Sequence, residues 1–205
     1  MRVVLPRGRL FERSLKILND AYFDFSGPDD RSLISEQGEH ELLLAKAFDV
    51  PVYVEKGSAI GITGKDVVEE RGSDLFIPLT LPFGQCRLSL AMPEGVRPQI
   101  SNMEGYTIAT EYPRLTERFF EAQGVKVEIL TMEGSTELAP VAGIADGIVD
   151  IVQTGSTLRA NGLVEVHQVM EVAPLLLVNR VAQKTRFEEI NHLISQVKGV
   201  IRNGA

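Results

Sequence analysis

The sequence predicts an α/β protein of two lobes with mainly parallel sheets. Three observations lead there. Short apolar runs alternate with longer amphipathic ones, the pattern of successive strand–helix units. The residues Pro93, Gly95, Pro98 and Gly105 mark a linker, after which the pattern restarts. Two segments, 49-DVPVYVEKGSAIGITGKDVVEERG-72 and 137-ELAPVAGIADGIVDIVQTGSTLRANG-162, share one order: acid, Pro, helix, strand, Thr-Gly, helix, Gly. The acid-to-Gly spacing is 15 positions in the first and 18 in the second. Similar units on either side of a linker suggest two lobes facing a cleft. We set lobe I at residues 1–92 plus 175–205, and lobe II at 93–174.

The elements follow from periodicity. Arg2–Leu5 is apolar enough for a strand, and Arg9–Tyr22 carries Leu10, Ser14, Ile17 and Ala21 along one helical face. Ser32–Ser35 and Glu41–Ala47 have strand character. Asp49–Lys56 is a short helix with Pro51 in its first turn, where a missing N–H costs nothing. Ala59–Thr63 is a strand, Lys65–Arg71 a helix, and Leu75–Leu79 and Arg87–Met92 are strands. Beyond the linker, Thr107–Thr110 is a strand and Pro113–Gln123 a helix stopped by Gly124. Val125–Thr131 is a strand, Thr136–Ile144 a helix and Gly147–Val152 a strand. Glu165–Val172 and Leu175–Val181 are further strands, separated by Pro174, and Arg186–Val200 is a closing amphipathic helix.

Composition limits the function. A chain of 205 residues can bury a sizeable core, and 44% apolar with 24% charged residues is ordinary for a globular protein. The net charge of -7 argues against broad nucleic-acid binding but leaves room for a small anion at a locally basic site. Cys86 is the single cysteine, so neither an intrachain disulfide nor a cysteine-built metal site can form. No apolar run reaches the length of a membrane span, and MRVVLPRGRL is too short and too basic for a secretion signal. A cytoplasmic protein is expected.

The chemistry concentrates at 147-GIVDIVQTGSTLRANGL-163. A strand leading through a short polar loop into a helix forms an anion site, because the first helical N–H groups lack internal partners. Gly155 lets backbone approach a ligand, and Thr154, Ser156 and Thr157 add three hydroxyls. One capping hydroxyl would be ordinary; this density describes a phosphate cradle. Asp150, on the same strand face as Val152, could reach the hydroxyls of a sugar carrying that phosphate, or could be a buried acid bonded to backbone. A second strand-to-helix corner, Pro6-Arg7-Gly8-Arg9, places two arginines around a glycine and suggests a second anion. Arg31 and Lys46 lie on neighbouring strands and could join them. Lys65 stands at the counterpart of the opening loop and fits a surface lysine. His40, His167 and His192 are scattered without metal-ligand spacing, and no Ser-His-Asp arrangement is present.

The block from Glu137 to Leu158, E-L-A-P-x-x-G-x-A-D-x-I-x-D-x-x-x-T-G-x-T-L, resembles the signature of the ATP phosphoribosyltransferases. So do Leu5–Leu10 (L-P-R-G-R-L), Asp49–Val54 (D-V-P-x-Y-V), Gly61–Val67 (G-I-x-G-K-D-V) and Cys86–Leu88 (C-R-L). The resemblance spans nearly the whole chain. It implies a fold similar to type II periplasmic binding proteins, with the active site in the inter-lobe cleft. It also implies the first step of histidine biosynthesis, in which N1 of ATP attacks phosphoribosyl pyrophosphate (PRPP). By position, Thr154, Gly155, Ser156 and Thr157 would hold the 5′-phosphate of PRPP, with Asp150 and Glu137 near the ribose or its loop. Arg7, Gly8 and Arg9 would lie near nucleotide or pyrophosphate, and Arg31 and Lys46 would add positive charge. Many members carry arginine where Lys46 stands. In 57-GSAIGI-62 the family's usual Asp is missing and the segment is one residue shorter. Mg²⁺ would be held mainly by pyrophosphate oxygens and water, with no dedicated protein metal site.

Long-form members of the family carry a C-terminal histidine-binding domain. Only five residues follow the closing helix here, so the resemblance implies the short form. It would be a homodimer, joined by a regulatory subunit resembling histidyl-tRNA synthetase. Two other readings compete: a noncatalytic two-lobed binder of small anions, and a phosphoribosyltransferase acting on another base. Neither a nucleic acid nor a membrane is expected as partner.

Overall fold

A computed structural model describes residues 1–27 and 32–204. Arg31 therefore lies outside the described residues. The first unit comprises Met1–Gly84 and the segment from Ala173 onward; the second is Gln85–Val172. The sequence places these boundaries at 93 and 175. They fall earlier because the strand after residue 85 hydrogen-bonds within the second sheet.

In the first unit, β1 (Arg2–Pro6) is followed by α1 (Phe11–Ala21), which starts two residues later than the sequence suggests. The strands β2 (Ile34–Gln37) and β3 (His40–Ala45) form a hairpin through Gly38, whose φ of 56° suits a tight turn. A 3₁₀ turn (Ala47–Asp49) leads into α2 (Val50–Lys56). Then come β4 (Ile60–Gly64), α3 (Lys65–Arg71) and β5 (Phe76–Thr80).

The second unit contains β6 (Cys86–Pro93), a 3₁₀ turn (Ile100–Asn102), β7 (Thr107–Thr110) and α4 (Pro113–Ala122). It continues with β8 (Glu128–Thr131), α5 (Leu138–Val141), β9 (Gly147–Val152), α6 (Ser156–Ala160) and β10 (Leu163–Val172). The chain returns to the first unit as β11 (Pro174–Val178), α7 (Arg180–Thr185) and α8 (Phe187–Gly204).

Beyond shifts of a few residues at element ends, two elements depart from the sequence reading for local reasons. The helix expected over Thr136–Ile144 shrinks to four residues. Pro140 has no N–H to donate, and Gly143, at φ 70°, closes the turn through Gly143 N to Pro140 O and Ile144 N to Ala139 O. The strand expected over Leu175–Val181 stops at Val178. Asn179 caps a new helix there, its Oδ1 accepting from the N–H groups of Val181 and Ala182 at 2.9 Å each.

The first sheet runs β2-β3-β1-β4-β11-β5 and the second β10-β6-β9-β7-β8. In the first, β1, β3, β4 and β5 share one direction, with β2 and β11 opposed; in the second only β6 opposes the other four. Mainly parallel sheets need cover on both faces, and the core alternates accordingly. Val3, Leu5, Ile60, Ile62, Leu176 and Val178 pack on one side with Leu18 of α1 and Leu193 of α8. Val4, Leu175 and Leu177 pack on the other with Val50 and Val54 of α2. Each fully buried Val, Leu or Ile contributes about 1.5–3 kcal/mol. In the second unit Ala91, Ala109, Ile148 and Val152 meet Ala139 of α5 and Leu158 of α6. The shortened segment at Ser58–Gly61 feeds an intact β4, paired on both sides. No helix among the described residues is long and apolar enough to cross a membrane.

The two segments similar in sequence are also similar in structure. Each runs helix, strand, helix: α2, β4, α3 in one unit and α5, β9, α6 in the other.

Candidate active site

In the second unit β8, β7 and β9 are adjacent and parallel, so their C-terminal ends and the loops beyond them lie side by side. Such loops are where α/β sheets bind ligands. Three of them carry the candidate groups.

The loop after β9 turns through Gly155, whose φ of 72° and ψ of 9° place it in the left-handed region. Thr154, Ser156 and Thr157 are exposed. Thr154 Oγ1 and Ser156 Oγ lie 3.0 Å apart, within hydrogen-bonding distance. The loop thus brings two of the three hydroxyls together. Its helix, α6, has only five residues, so an anion placed here would depend on local N–H groups and hydroxyls, with little help from a helix dipole.

Asp150 lies on β9 on the same face as Val152. One carboxylate oxygen accepts a bond from the buried Thr136 hydroxyl, and the other accepts from Ile151 N at 2.6 Å. Asp150 therefore links its strand to the loop after β8, which carries Glu137. That loop holds Ser135 at φ 49°, the one non-glycine residue with positive φ among the described residues, next to Gly134 at φ 85°.

The loop after β7 contributes Glu111, which the sequence reading does not single out. Thr110 Oγ1 donates to Val149 O at 2.7 Å and accepts from Tyr112 N at 2.9 Å, fixing the backbone on both sides of Glu111. Burial pushes the Glu111 carboxyl above the usual carboxylate range, and the negative charge of Asp150 adds to this; an N–H bond from Gly134 opposes it. An acid directly after an apolar strand, in Thr110-Glu111-Tyr112-Pro113, is the available signal.

Behind the hydroxyl loop stands a second group, to which the sequence reading contributes only Arg87, quoted within the C-R-L match and given no role. Arg87 of β6 donates through Nε to Glu165 Oε1 at 2.6 Å and through Nη2 to Oε2, while Ser89 Oγ donates to Oε1 at 2.8 Å. Arg87 Nη1 also donates to Gln153 O at 3.4 Å. Arg159 Nη2 donates to Thr154 O at 3.3 Å. Arg87, Glu165 and Arg159 line a cavity of about 160 Å³ that reaches Thr154 and Gly155. A cavity of about 630 Å³ lined by Arg114, Glu117, Lys126 and Thr131 includes none of these loop residues, and we assign it no chemistry.

In the first unit β3, β1 and β4 are adjacent and parallel. Arg7 follows β1 and Lys46 follows β3; Arg7 N donates to Ala45 O at 2.9 Å, so the two cationic residues are neighbours at one sheet end. Arg7, Gly8, Arg9 and Lys46 are exposed. Gly8 has φ 88°, and a Cβ there would meet nothing within 4 Å. Arg9 Nη1 donates to Gly84 O at 2.6 Å, which commits part of its guanidinium to the fold. Lys65 pairs with Glu69 at 3.5 Å on the exposed face of α3, as a surface lysine would. His40 meets the Met1 amine at 3.1 Å, and burial followed by that positive charge pushes its pKa down. His167 packs on Phe119 and His192 on Tyr22. Among the described residues no group of three or more His, Cys, Asp or Glu is placed to hold a metal.

A family model described as ATP phosphoribosyltransferase matches residues 46–199. The chain is 60% identical over 206 residues to an ATP phosphoribosyltransferase of Thermococcus gammatolerans, covering 100% of both. It is 58% identical to that of Pyrococcus furiosus over 97% of each. Among solved structures it is similar to the ATP phosphoribosyl transferase (HisG:HisZ) complex from Thermotoga maritima, with TM-score 0.87, 31% identity and 99% of each chain covered. A putative L-cystine ABC transporter from Listeria monocytogenes shares the fold alone, with TM-score 0.66 and 11% identity over 100% of this chain and 91% of that one.

Proposed function

We infer, from the premise that this chain belongs to the ATP phosphoribosyltransferase family, that the loop Thr154–Thr157 holds the 5′-phosphate of PRPP. The enzyme joins N1 of the ATP adenine to the anomeric carbon of PRPP and releases pyrophosphate, the first step of histidine biosynthesis. The observation carrying the site assignment is the exposed hydroxyl set around a left-handed glycine at the end of a parallel strand. Asp150, with its oxygens fixed by Thr136 and Ile151, and Glu137 on the adjoining loop face the ribose in this reading.

The reaction needs no nucleophilic side chain, since the adenine nitrogen attacks. As the glycosidic bond to pyrophosphate breaks, positive charge grows on the ribose and negative charge on the leaving group. Catalysis then rests on positioning and on charge stabilisation. Arg7, Gly8, Arg9, Arg31 and Lys46 supply the nucleotide and pyrophosphate contacts in this proposal. We assign Mg²⁺ as the metal ion. Its hard oxygen donors would come mainly from pyrophosphate and water, with no dedicated protein carboxylate cage, and when bound it would neutralise charge on the leaving group. We further propose that the chain is the short, catalytic form, a homodimer that works in the cytoplasm. It assembles with a histidine-sensing subunit resembling histidyl-tRNA synthetase. The similarity to the Thermotoga HisG:HisZ complex over 99% of the chain supports that assembly.

The test combines an assay and a variant. Pyrophosphate should be released only when ATP and PRPP are both present. Thr157→Ala should weaken PRPP binding by about 1.5–3 kcal/mol, the worth of a hydrogen bond to a charged group, and ATP binding much less. Equal weakening of both ligands in calorimetry counts against the phosphate loop. No pyrophosphate release with the regulatory subunit also present counts against the catalytic reading itself.

A further inference from the structure

The hydroxyl loop has two consecutive peptide carbonyls turned toward guanidinium groups. Gln153 O accepts from Arg87 Nη1 at 3.4 Å, and Thr154 O accepts from Arg159 Nη2 at 3.3 Å. Among the described residues no peptide bond is cis. In a trans peptide the C=O and the following N–H point in opposite directions. Fixing these two carbonyls therefore turns the N–H groups of Thr154 and Gly155 away from the arginines. It also keeps two negative dipole ends off the side where an anion would sit.

Arg87 is itself held. Its fork meets both oxygens of Glu165, and Ser89, which is fully buried, donates to the same carboxylate. Arg87, Ser89 and Ala91 alternate along one face of β6, and Glu165 stands opposite Ala91, so the side chains run toward each other along the sheet. The same face carries Asp150 and Val152 on β9, directly opposite Ser89 and Arg87. The bond to Arg87 holds the Glu165 carboxyl below the usual carboxylate range, so the pair stays charged at neutral pH. A guanidinium whose charge is met by a bidentate carboxylate is poorly placed to bind a substrate phosphate directly. It is well placed to hold a carbonyl.

We propose that Arg87, clamped by Glu165 and Ser89, is a positioning residue for the loop, acting with Arg159 to set the two peptides that present N–H groups to the PRPP phosphate. This inference rests on the reading of Thr154–Thr157 as the phosphate loop.

Steady-state kinetics with ATP and PRPP, alongside thermal unfolding, test it. Two variants are used. Arg87→Met with Glu165→Gln removes the clamp without leaving a lone carboxylate beside Ser89. Arg87→Lys can keep an ion pair with Glu165 but cannot also reach Gln153 with a planar fork. Both should raise the KM for PRPP about tenfold, the effect of one lost charge-assisted bond, with the KM for ATP within about twofold. Arg87→Lys should do so with an unchanged melting temperature, which a purely structural role would not produce. An unchanged KM for PRPP in both variants, while Thr157→Ala raises it, overturns the positioning role and leaves the loop assignment standing. An unchanged KM for PRPP in all three removes the loop assignment and the positioning role together. Equal losses for both substrates that track the melting temperature also overturn the proposal.

Discussion

Gly155→Ala should damage the enzyme twice, and a matched variant separates the two effects. At φ 72° an alanine Cβ crowds its own backbone, costing about 1–2 kcal/mol. The stiffer unfolded chain returns about 0.4–1 kcal/mol, so a net loss of about 1 kcal/mol is expected. The new Cβ would also stand 3.1 Å from Arg159 Nη1 and 3.9 Å from Val152 Cγ1. The first contact is tight enough that the guanidinium must give by a few tenths of an ångström, which stretches its 3.3 Å bond to Thr154 O. Gly162, two residues beyond the same helix, has φ 69°, and a Cβ added there would meet nothing within 4 Å, so Gly162→Ala carries the backbone strain alone. Both variants should lose about 2–4 °C in Tm, the shift that about 1 kcal/mol produces in a chain of this size. Only Gly155→Ala should raise the KM for PRPP. Thermal unfolding and steady-state kinetics on the pair decide it. If both variants lose stability and neither changes the KM for PRPP, the contact between Gly155 and Arg159 has no part in phosphate binding.

Two further outcomes follow from burial. Glu111 has a folded pKa above its ordinary value, so stability is fully present at low pH and falls as pH rises, because the unfolded chain ionises first. Glu111→Gln, which cannot ionise, should therefore have a higher Tm than the parent at pH 7 and no advantage near pH 4; an equal difference at both pH values contradicts this. Gly61→Ala in β4 would place a Cβ 2.7 Å from Val54 Cγ2, 2.9 Å from Val4 Cγ1 and 3.0 Å from Val50 Cγ1. Overpacking of that kind costs about 1–3 kcal/mol, and urea unfolding of Gly61→Ala should show it, with partial recovery in Gly61→Ala/Val54→Ala. Parental stability in the single variant would mean that α2 shifts freely on the sheet.

Much of this fold is legible in the sequence because its strands are short, apolar and separated by glycine and proline. Gly147–Val152 and the hydroxyl loop after it are visible as a local pattern. Long-range pairs are not visible in the same way. Arg87 and Glu165 meet only because β6 runs antiparallel between β9 and β10, an order that local periodicity does not encode. The same order moves β6 into the second unit. Glu111 escapes a local reading because its significance lies in burial beside Asp150, 39 positions away in a different strand–loop corner. The helix α7 hides in an apolar run, although Asn179 before Arg180 is an ordinary start signal. The helix α5 is shorter than its periodicity suggests because Pro140 and Gly143 act together to end it.

The position of β11 has a consequence for how the chain is made. It lies between β4 and β5, and β5 pairs with β11 alone. On the ribosome, β5 emerges before the whole of residues 85–172, and β11 only after them. At about 5–20 residues per second, that interval lasts on the order of ten seconds. The second unit is continuous in sequence, and its ends, Cys86 and Val172, pair with each other. It can therefore close while the first unit still waits for its sixth strand. Through that wait, Ile60 and Ile62 of β4 border an unpaired, apolar edge, the kind of surface that recruits strands from other chains. The nascent chain is most exposed to misassembly in that window, which ends when Pro174–Val178 enters the sheet.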